Sequence, residues 1–358
     1  MRVAIIGAGN SGCAMAADLS LKGHDVTLVK TSRFTHLENF EWLLTNGGRM
    51  TLLEGDEAKT GTIGCVTYDF EKIRCNDVVL ITIQSNFHEP LIKRLVPYLD
   101  RNQIVIFNPG YFATAYMLKH AKDKLFTIVE ATSSFIDGRI SKPGEFKVGF
   151  RNVRNPMGVY PSCKTPFVKD KLANLGYSLY YYSSVIEAAL HNPNLIVHTV
   201  GAVMSIPRIE KTNGNYVMYH EVFTPSVWNI LEKLDSEKMD VMDKLGFKRV
   251  PYVEACKFRN TLDDRRNAKE VFFWYASMPT RAIGPIAVDT RYINEDVPQG
   301  LVMLEALGHA LNISTPVCTA LIEIASAAVG RDFRLEGRTL ESLGKENVDT
   351  IIREALTE

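Results

Sequence analysis

Short apolar runs alternate along the first half of the chain with stretches whose apolar residues recur at helical spacing. Strand-like runs cover Arg2–Ile6, Asp25–Val29 and residues 77–83, and a helical pattern over 11–21 separates the first two. The third run is continuously apolar, as expected of a strand that is covered on both faces. This order predicts a βαβ unit that opens an α/β domain with a parallel sheet.

The same alternation continues to about residue 160. Further helices are predicted over 34–46, 88–99 and 111–120, strands over 103–107 and 125–129, and shorter strand-like runs at 49–68, 147–150 and 158–160. Near Ser183 and Ser184 the strand-like runs end. Helical patterns then cover 185–204, 226–245, 255–275, 300–311 and 315–329. We therefore predict an α/β domain over 1–184 and an all-helical domain over 185–358.

Composition and charge narrow the class of protein. The 358 residues are 46% hydrophobic and 23% charged, which is typical of a globular chain with two cores. The 41 basic and 41 acidic residues balance, so no long-range field favours nucleic acid or an anionic membrane. No apolar run reaches the roughly 20 residues of a membrane helix, and the first residues lack a signal-peptide pattern. We expect a soluble, cytoplasmic protein, and leave open whether it is a homodimer.

The cysteines show no spacing that is typical of a zinc site or a disulfide framework, so we predict no bound metal. They are Cys13, Cys65, Cys75, Cys163, Cys256 and Cys318. Cys13 differs from the others because it falls in the first turn of a predicted helix. The favoured interpretation is that all six are small apolar core thiols in a reducing cytosol. The alternative concerns Cys13 alone, because a helix amino terminus can lower the pKa of a thiol.

A glycine-rich turn follows the first strand at once. The segment Gly7-Ala8-Gly9-Asn10-Ser11-Gly12 has the G-x-G-x-x-G spacing between a strand and a helix. In this context the glycines allow a tight turn, a close approach of the backbone to a pyrophosphate, and close packing of helix on strand. The helix amino terminus offers N–H groups to the phosphates. We predict a Rossmann dinucleotide site that includes Gly7, Gly9, Asn10, Ser11 and Gly12.

The end of the second strand bears on which dinucleotide is bound. An Asp or Glu usually accepts a hydrogen bond from the ribose of NAD at this place, but the chain reads Lys30-Thr31-Ser32-Arg33. Hydroxyl groups and a guanidinium suit the 2′-phosphate of NADP. Thr31, Ser32 and Arg33 therefore favour NADP, with NAD as the alternative. The other interpretation of Lys30 and Arg33 is that they are ordinary solvated cations.

Two polar segments of the helical domain are candidates for acid–base chemistry. His198 lies within an apolar helical pattern, and Asp296 precedes Val297-Pro298. Taken alone, His198 could be a core histidine and Asp296 a helix cap. Sequence spacing alone does not show whether His198 and Asp296 contact each other, because they are far apart along the chain.

The whole chain, however, resembles the opine dehydrogenase family, which includes octopine and nopaline dehydrogenases and N-(1-carboxyethyl)-amino-acid dehydrogenases. The resemblance rests on the glycine turn, Asn108-Pro109-Gly110, residues 130–139, Asn194-x-x-x-His198 and Arg291-Tyr292-x-x-Glu295-Asp296-Val297-Pro298. It implies a Rossmann domain joined to a helical domain of the 6-phosphogluconate dehydrogenase type, with substrate bound between them. It also implies the reductive condensation of an α-keto acid with the amino group of an amino acid.

Carried to matching positions, the resemblance makes His198 the general acid/base and Asp296 the carboxylate that orients its imidazole. Arg291 would bind the carboxylate of the keto acid, and Asn194 is a further candidate substrate-binding residue. Glu130 either faces the substrate ammonium or is an ordinary acid at a strand end. The chain departs from the family at Thr199, where proline often follows the histidine. The segment around Glu130 matches only loosely, which leaves the identity of the amino acid open.

Two rival functions remain at this point. A ketoacid or hydroxyacid reductase of the ketopantoate reductase or glycerol-3-phosphate dehydrogenase type shares the two-domain plan, but those enzymes use a helical-domain lysine for which no counterpart stands out. A dinucleotide-binding sensor without turnover is the second rival. It would not need His198, Asp296 and Arg291 together. The aromatic run 272–275 either lines an amine pocket or packs in a helical core.

Overall fold

The computed structural model describes residues 1–121, 124–279 and 283–357. The chain divides into two units, Met1–Val185 and Ile186–Glu358. The first is an α/β unit built on a mostly parallel sheet, and the second is helical, so the predicted fold class is confirmed. No helix in the described ranges is both long and apolar enough to cross a membrane.

The central sheet of the amino-terminal unit has eight strands, in the order β12-β11-β8-β7-β6-β1-β2-β5. They are β1 (Arg2–Ile6), β2 (Asp25–Val29), β5 (Cys65–Thr67), β6 (Val78–Ile81), β7 (Ile104–Phe107), β8 (Thr127–Ala131), β11 (Asn155–Tyr160) and β12 (Leu179–Tyr181). From β8 to β5 all neighbours are parallel, while β11 is antiparallel to β8. Strands β6 and β7 are buried at every position, as their continuously apolar sequences require.

A second sheet of four strands, in the order β4-β3-β10-β9, packs on the same unit. Its strands are β3 (Arg49–Glu54), β4 (Glu57–Thr62), β9 (Ile136–Lys142) and β10 (Glu145–Arg151). Strand β9 crosses the first helix closely, because a Cβ on Gly138 would lie 2.3 Å from the Cβ of Ala14. The sequence pattern did not predict β9, whose burial does not alternate regularly along the strand.

Among the described residues of this unit, five α-helices lie between the strands. They are α1 (Asn10–Leu21), α2 (Leu37–Thr45), α3 (His88–Leu95), α4 (Ala113–His120) and α5 (Thr165–Leu172). Three of the predicted helices are shorter than expected. α2 begins after His36 and α4 after Phe112, both of which have positive φ angles that end a right-handed helix on that side. α3 gives way to a 3₁₀ turn at Val96–Tyr98, which contains Pro97.

The carboxy-terminal unit contains the remaining helices. They are α6 (Val185–Leu190), α7 (Asn194–Met204), α8 (Ile206–Thr212), α9 (Met218–Glu221), α10 (Pro225–Lys244), α11 (Tyr252–Asn260), α12 (Ala268–Ala276), α13 (Arg291–Asn294), α14 (Val302–Leu311), α15 (Pro316–Val329), α16 (Phe333–Glu336), α17 (Leu340–Leu343) and α18 (Lys345–Leu356). A π-helical turn, Val297–Leu301, leads into α14.

Two predicted long helices of this unit are each broken in two. The helix expected over 185–204 stops at Leu190 and restarts at Asn194, because Pro193 has no N–H and is accommodated only at a helix start. The helix expected over 255–275 is interrupted between α11 and α12. The Asn267 side chain there accepts hydrogen bonds from the N–H groups of Lys269 and Glu270, which caps α12.

Candidate functional site

The fold itself requires two of the glycines in the turn between β1 and α1. Gly7 has a φ of +119°, a backbone angle that residues with a side chain rarely adopt. A Cβ on Gly12 would lie only 1.8 Å from the carbonyl oxygen of Gly7. These two glycines therefore let α1 pack directly on the end of β1, as predicted.

Gly9 is different, because nothing within the protein demands a glycine there. Its φ of −94° is open to any residue. The nearest atom to an added Cβ would be in the ring of His36, at 3.7 Å, which is an ordinary contact. Because glycine has no side chain, the backbone at the amino terminus of α1 is not covered at this position. The turn therefore fits a ligand that approaches the backbone closely, as the pyrophosphate of a dinucleotide does.

The side chains of Asn10 and Ser11 are committed to the fold. The Asn10 Oδ1 atom accepts a hydrogen bond of 2.9 Å from the N–H of Ile140, and the Ser11 Oγ atom lies 2.6 Å from the Oγ atom of Ser134. Both contacts tie α1 to the chain around β9. These contacts leave the backbone N–H groups of both residues at the amino terminus of α1 as candidate donors to a phosphate.

The segment after β2 presents one exposed cation beside an aromatic ring. The guanidinium carbon of Arg33 lies 4.3 Å from the ring centre of Tyr68, whose hydroxyl donates a 3.0 Å hydrogen bond to Glu41. Ser32 Oγ lies 3.2 Å from Thr35 Oγ1. A guanidinium stacked on a ring in this way is held in place while its N–H groups stay accessible.

Lys30 and Arg94 differ from what the sequence predicts for this segment. Lys30 is no solvated surface cation: it is buried, and its Nζ donates a 2.5 Å hydrogen bond to the carbonyl of Thr35. Burial lowers the pKa of Lys30. Arg94 of α3 donates to the carbonyl of Thr31 at 3.4 Å, which brings a cation from a distant part of the sequence to this segment. No local motif identified Arg94.

Glu130, the candidate for the amine of the substrate, is fully buried. Its carboxylate accepts hydrogen bonds from the N–H groups of Phe112 and Thr114, at 2.6 and 2.7 Å, and from the Thr114 hydroxyl at 2.6 Å. These donors lie at the amino terminus of α4, so the carboxylate stabilises that helix end. A role in substrate binding stays a prediction.

His198 and Asp296, 98 residues apart in sequence, meet in the carboxy-terminal unit. The Nδ1 atom of His198 lies 2.8 Å from Oδ2 of Asp296. The Asp296 side chain is 1% exposed and that of His198 12% exposed. Because a carboxylate only accepts hydrogen bonds, it keeps a proton on Nδ1 and leaves Nε2 to gain or lose one. This is the arrangement of an oriented general acid/base.

Two tyrosines that the sequence analysis did not single out surround this imidazole. The hydroxyl of Tyr219 lies 3.2 Å from Nε2 of His198, and the ring of Tyr292 lies 4.2 Å from the imidazole, centre to centre. Tyr292 stands within the Arg291-Tyr292 motif, so its neighbourhood could have been inferred. Tyr219 belongs to no motif.

Asn194 lies on α7 with His198, and Arg291 lies on α13, which ends two residues before Asp296. Arg291 is the first residue of α13, which packs against α7, and its side chain is 52% exposed. Its Nε atom lies 3.4 Å from Oε2 of Glu295, an ion pair within one helical turn. Asn194 opens α7 one turn before His198 and so lies on the same face of the helix.

Cys13 corrects one expectation. It lies in the first turn of α1 as predicted, but it is fully buried, and burial raises its pKa to about 12. The Nδ2 atom of Asn39 donates to its sulfur at 3.4 Å. The cost of burying a thiolate outweighs the favourable field of the helix terminus.

The aromatic run 272–275 is divided between core and surface. Phe272 lies in the core, and Phe273 and Trp274 are partly exposed.

Among the described residues, no group of three or more His, Cys, Asp and Glu side chains is placed to hold a metal ion.

Each unit of the chain matches the model of a known protein family. Residues 181–329 match the family described as NAD/NADP octopine/nopaline dehydrogenase, alpha-helical domain. Residues 3–146 match the ketopantoate reductase PanE/ApbA family. A curated relative, opine dehydrogenase of Arthrobacter sp. (strain 1C), is 28% identical over 348 residues, which cover 95% of this chain and 94% of the relative.

Solved structures agree on the fold. Octopine dehydrogenase, solved with NADH and agmatine, matches with a TM-score of 0.77 and 15% identity over 100% of this chain and 98% of its own. Its structure with NADH and pyruvate has a TM-score of 0.73 at 16% identity, with the same coverage. Yersinopine dehydrogenase bound to NADP⁺ has a TM-score of 0.72 at 15% identity, again over 100% and 98% of the two chains.

Proposed function

We propose that this chain, which belongs to the opine dehydrogenase family, catalyses the NAD(P)H-dependent condensation of an α-keto acid with the amino group of an amino acid. In the reverse direction it would oxidise a secondary amine dicarboxylic acid and release the two partners. The observation that carries the proposal is the hydrogen bond between His198 and Asp296, which orients an acid/base in the unit that matches the octopine dehydrogenase family.

The relatives supply the substrate class. The curated relative is itself named an opine dehydrogenase. Octopine dehydrogenase has been solved with NADH together with an amine or with pyruvate, and yersinopine dehydrogenase with NADP⁺. A keto acid, an amine and a nicotinamide dinucleotide are the three reactants that the proposed reaction needs.

The reaction has two proton-requiring stages. The amine nitrogen attacks the keto carbon, which forms a C–N bond and a carbinolamine. Loss of the hydroxyl as water then leaves a C=N double bond. When bound, the reduced nicotinamide supplies the hydride that reduces the carbon of this imine.

His198 serves both stages through Nε2. As an imidazolium it gives a proton to the departing hydroxyl, and as a neutral imidazole it takes a proton from the attacking amine. Asp296 keeps the ring in one tautomer, because its buried carboxylate accepts the hydrogen bond from Nδ1.

Arg291 would hold the carboxylate of the keto acid. Its guanidinium is half exposed, and its partner Glu295 directly follows the same short helix, so a substrate carboxylate can exchange with that pairing. Asn194, on the His198 face of α7, would donate to a substrate oxygen.

For the cofactor, we propose a preference for NADP(H), with NAD(H) as the alternative. Arg33, held on Tyr68, and the hydroxyls of Thr31 and Ser32 would receive the 2′-phosphate. A double variant, Ser32→Asp with Arg33→Ala, should turn the ratio of kcat/KM for NADPH over NADH towards NADH, because a carboxylate repels a phosphate. An unchanged ratio would contradict the assignment.

A cytoplasmic location and a homodimeric assembly remain proposals. Size-exclusion chromatography with light scattering would decide the assembly.

The decisive experiment follows the oxidation of NADPH and NADH by purified protein, with a panel of keto acids and amino acids alone and in pairs. Consumption only with a pair supports the proposed reaction and identifies both substrates. Consumption with a keto acid alone would make the protein a ketoacid reductase, and dinucleotide binding without consumption would make it a sensor. His198→Gln should abolish turnover of the pair while dinucleotide binding is retained.

A further inference from the structure

Tyr219 lies where the acid/base nitrogen of His198 points. Its hydroxyl is 3.2 Å from Nε2, while Asp296 occupies Nδ1 on the other side of the ring at 2.8 Å. Both ring nitrogens therefore have a hydrogen-bond partner within the carboxy-terminal unit. The distance from Tyr219 to His198 in sequence is 21 residues, and no motif connects them.

The close approach of Tyr219 to His198 depends on a glycine. A Cβ on Gly201 of α7 would lie 2.8 Å from the sulfur of Met218 and 3.1 Å from the Phe223 ring, so α9 and its surroundings lie directly against α7. His198 precedes Gly201 by one helical turn, on the same face of α7. The bare surface at Gly201 is what allows the Tyr219 hydroxyl to reach the imidazole.

Several contacts outside the site fix α9. Arg208 donates two hydrogen bonds to Glu221, of 3.0 and 2.6 Å, and Glu221 also accepts from the N–H of Val217 at 3.0 Å. On the other side, the His220 Nε2 atom lies 2.7 Å from the carbonyl oxygen of Ala276 in α12. With both ends of the short helix held, the tyrosine ring has a defined place.

A tyrosine hydroxyl suits both states of the imidazole. When Asp296 holds the proton on Nδ1 and the ring is neutral, Nε2 is an acceptor and the Tyr219 O–H donates to it. When the ring is protonated, Nε2–H becomes a donor and the same oxygen accepts from it. The hydroxyl rotates between the two roles without movement of the ring.

We propose that Tyr219 is a positioning residue for the acid/base step: its hydroxyl holds the imidazole of His198 by Nε2 in the protonation states before and after proton transfer, and gives up that nitrogen to the substrate during the transfer. This inference rests on the proposed function. It adds a third member to the His198–Asp296 pair and places it in a segment that neither the glycine turn nor the Arg291–Pro298 motif contains.

The test compares two tyrosine-to-phenylalanine variants. Tyr219→Phe removes the hydroxyl at His198, and Tyr216→Phe is the matched control, because the Tyr216 hydroxyl lies in the same segment but bonds Ser205, at 2.8 Å. We expect Tyr219→Phe to lower kcat by about 10- to 100-fold with little change in the KM of the dinucleotide. Tyr216→Phe should keep kcat within about twofold.

A spectroscopic readout separates positioning from a general loss of structure and does not depend on turnover. In protein with ¹⁵N-labelled histidine, the His198 ring signals are assigned by their loss in His198→Gln. Tyr219→Phe should shift the Nε2 signal of His198, and Tyr216→Phe should not.

Three results would overturn the proposal. They are an unshifted His198 signal in Tyr219→Phe, a shifted signal with unchanged kcat, and an equal loss of kcat in Tyr216→Phe. Failure of the proposed function is distinct, since it shows as a wild-type protein that turns over no keto acid and amine pair. In that case a shifted signal would still show the hydrogen bond between Tyr219 and His198, but the bond would have no role in catalysis.

Discussion

The glycine turn of the amino-terminal unit and the His198–Asp296 pair of the carboxy-terminal unit are assembled in opposite ways. The turn consists of consecutive residues, and its functional groups are backbone N–H groups exposed by the lack of side chains. The pair consists of two side chains 98 residues apart, brought to 2.8 Å by the packing of α13 and the following turn against α7. One site needs only local geometry, and the other needs the whole helical unit.

This difference predicts different consequences of substitution. In the turn, an added methyl group should obstruct a ligand or the fold according to where it points. In the pair, the removal of one charge should leave the fold and the dinucleotide site intact and affect only the chemistry.

The largest effect is expected for Asp296→Asn. The amide removes the negative charge beside the imidazole and can donate to Nδ1, which favours the wrong tautomer, so kcat should fall by about 10³-fold. Steady-state kinetics with the substrate pair measures this, and the dinucleotide affinity should not change. Asp243→Asn, an exposed acid of α10 in the same unit, is the control. If Asp296→Asn kept more than a tenth of kcat, the carboxylate would only stabilise the structure.

Gly9→Ala should act on binding alone. Its added Cβ meets only the His36 ring within the protein, at an ordinary distance, so the melting temperature should stay unchanged. The methyl group would stand where a pyrophosphate approaches, and dinucleotide affinity should fall by about 10- to 100-fold. Fluorescence titration measures the affinity.

Gly12→Ala provides the contrast to Gly9→Ala. Its Cβ would overlap the carbonyl of Gly7, so it should lower the melting temperature as well as the affinity. Equal behaviour of the two variants would mean that Gly9 serves the fold and not a ligand.

Asp18 offers a moderate effect on stability with a defined pH dependence. Burial would raise its pKa, but hydrogen bonds from Arg151, Lys22 and Tyr177, at 3.0, 2.7 and 2.7 Å, hold the pKa below its ordinary value of 3.8. The ionised form therefore stabilises the native state above about pH 4, and this contribution is lost as the pH falls further.

Asp18→Asn should lower the free energy of unfolding by roughly 2 kcal/mol at pH 7, and the difference from wild type should shrink below pH 4. Urea unfolding at several pH values measures both. Asp170→Asn, an exposed acid on α5, should change little at any pH. A pH-independent loss in Asp18→Asn would point to packing and not to charge.

The smallest effect is expected at Cys13. With a pKa of about 12, only about one thiol in 10⁴ is ionised at pH 8, and the sulfur is buried. Iodoacetamide should modify the exposed Cys75 and Cys163 of the native protein and leave Cys13 unmodified, as peptide mass spectrometry would reveal. Modification of Cys13 at the rate of Cys75 would mean that the helix terminus governs the thiol after all.

The sequence by itself determined the parts whose physics is local. The continuously apolar strands, the helix between β1 and β2 and the glycines of the turn are each encoded within a few neighbouring residues, so the α/β unit and the tight turn after β1 could be predicted. The helical spacing of apolar residues after residue 184 is local as well, so the helical class of the second unit could also be predicted. Long helices were overextended across Pro193 and across 261–267, where a proline and a capping asparagine outweigh apolar periodicity.

Only the tertiary structure decided which distant side chains meet and which are buried. It brought Asp296 and Tyr219 to opposite nitrogens of His198, and it buried Lys30 and Cys13, which local sequence had placed in exposed or activating settings. The physical reason is that burial and hydrogen bonding depend on every element packed around a group. A motif records only the neighbours of a residue along the chain.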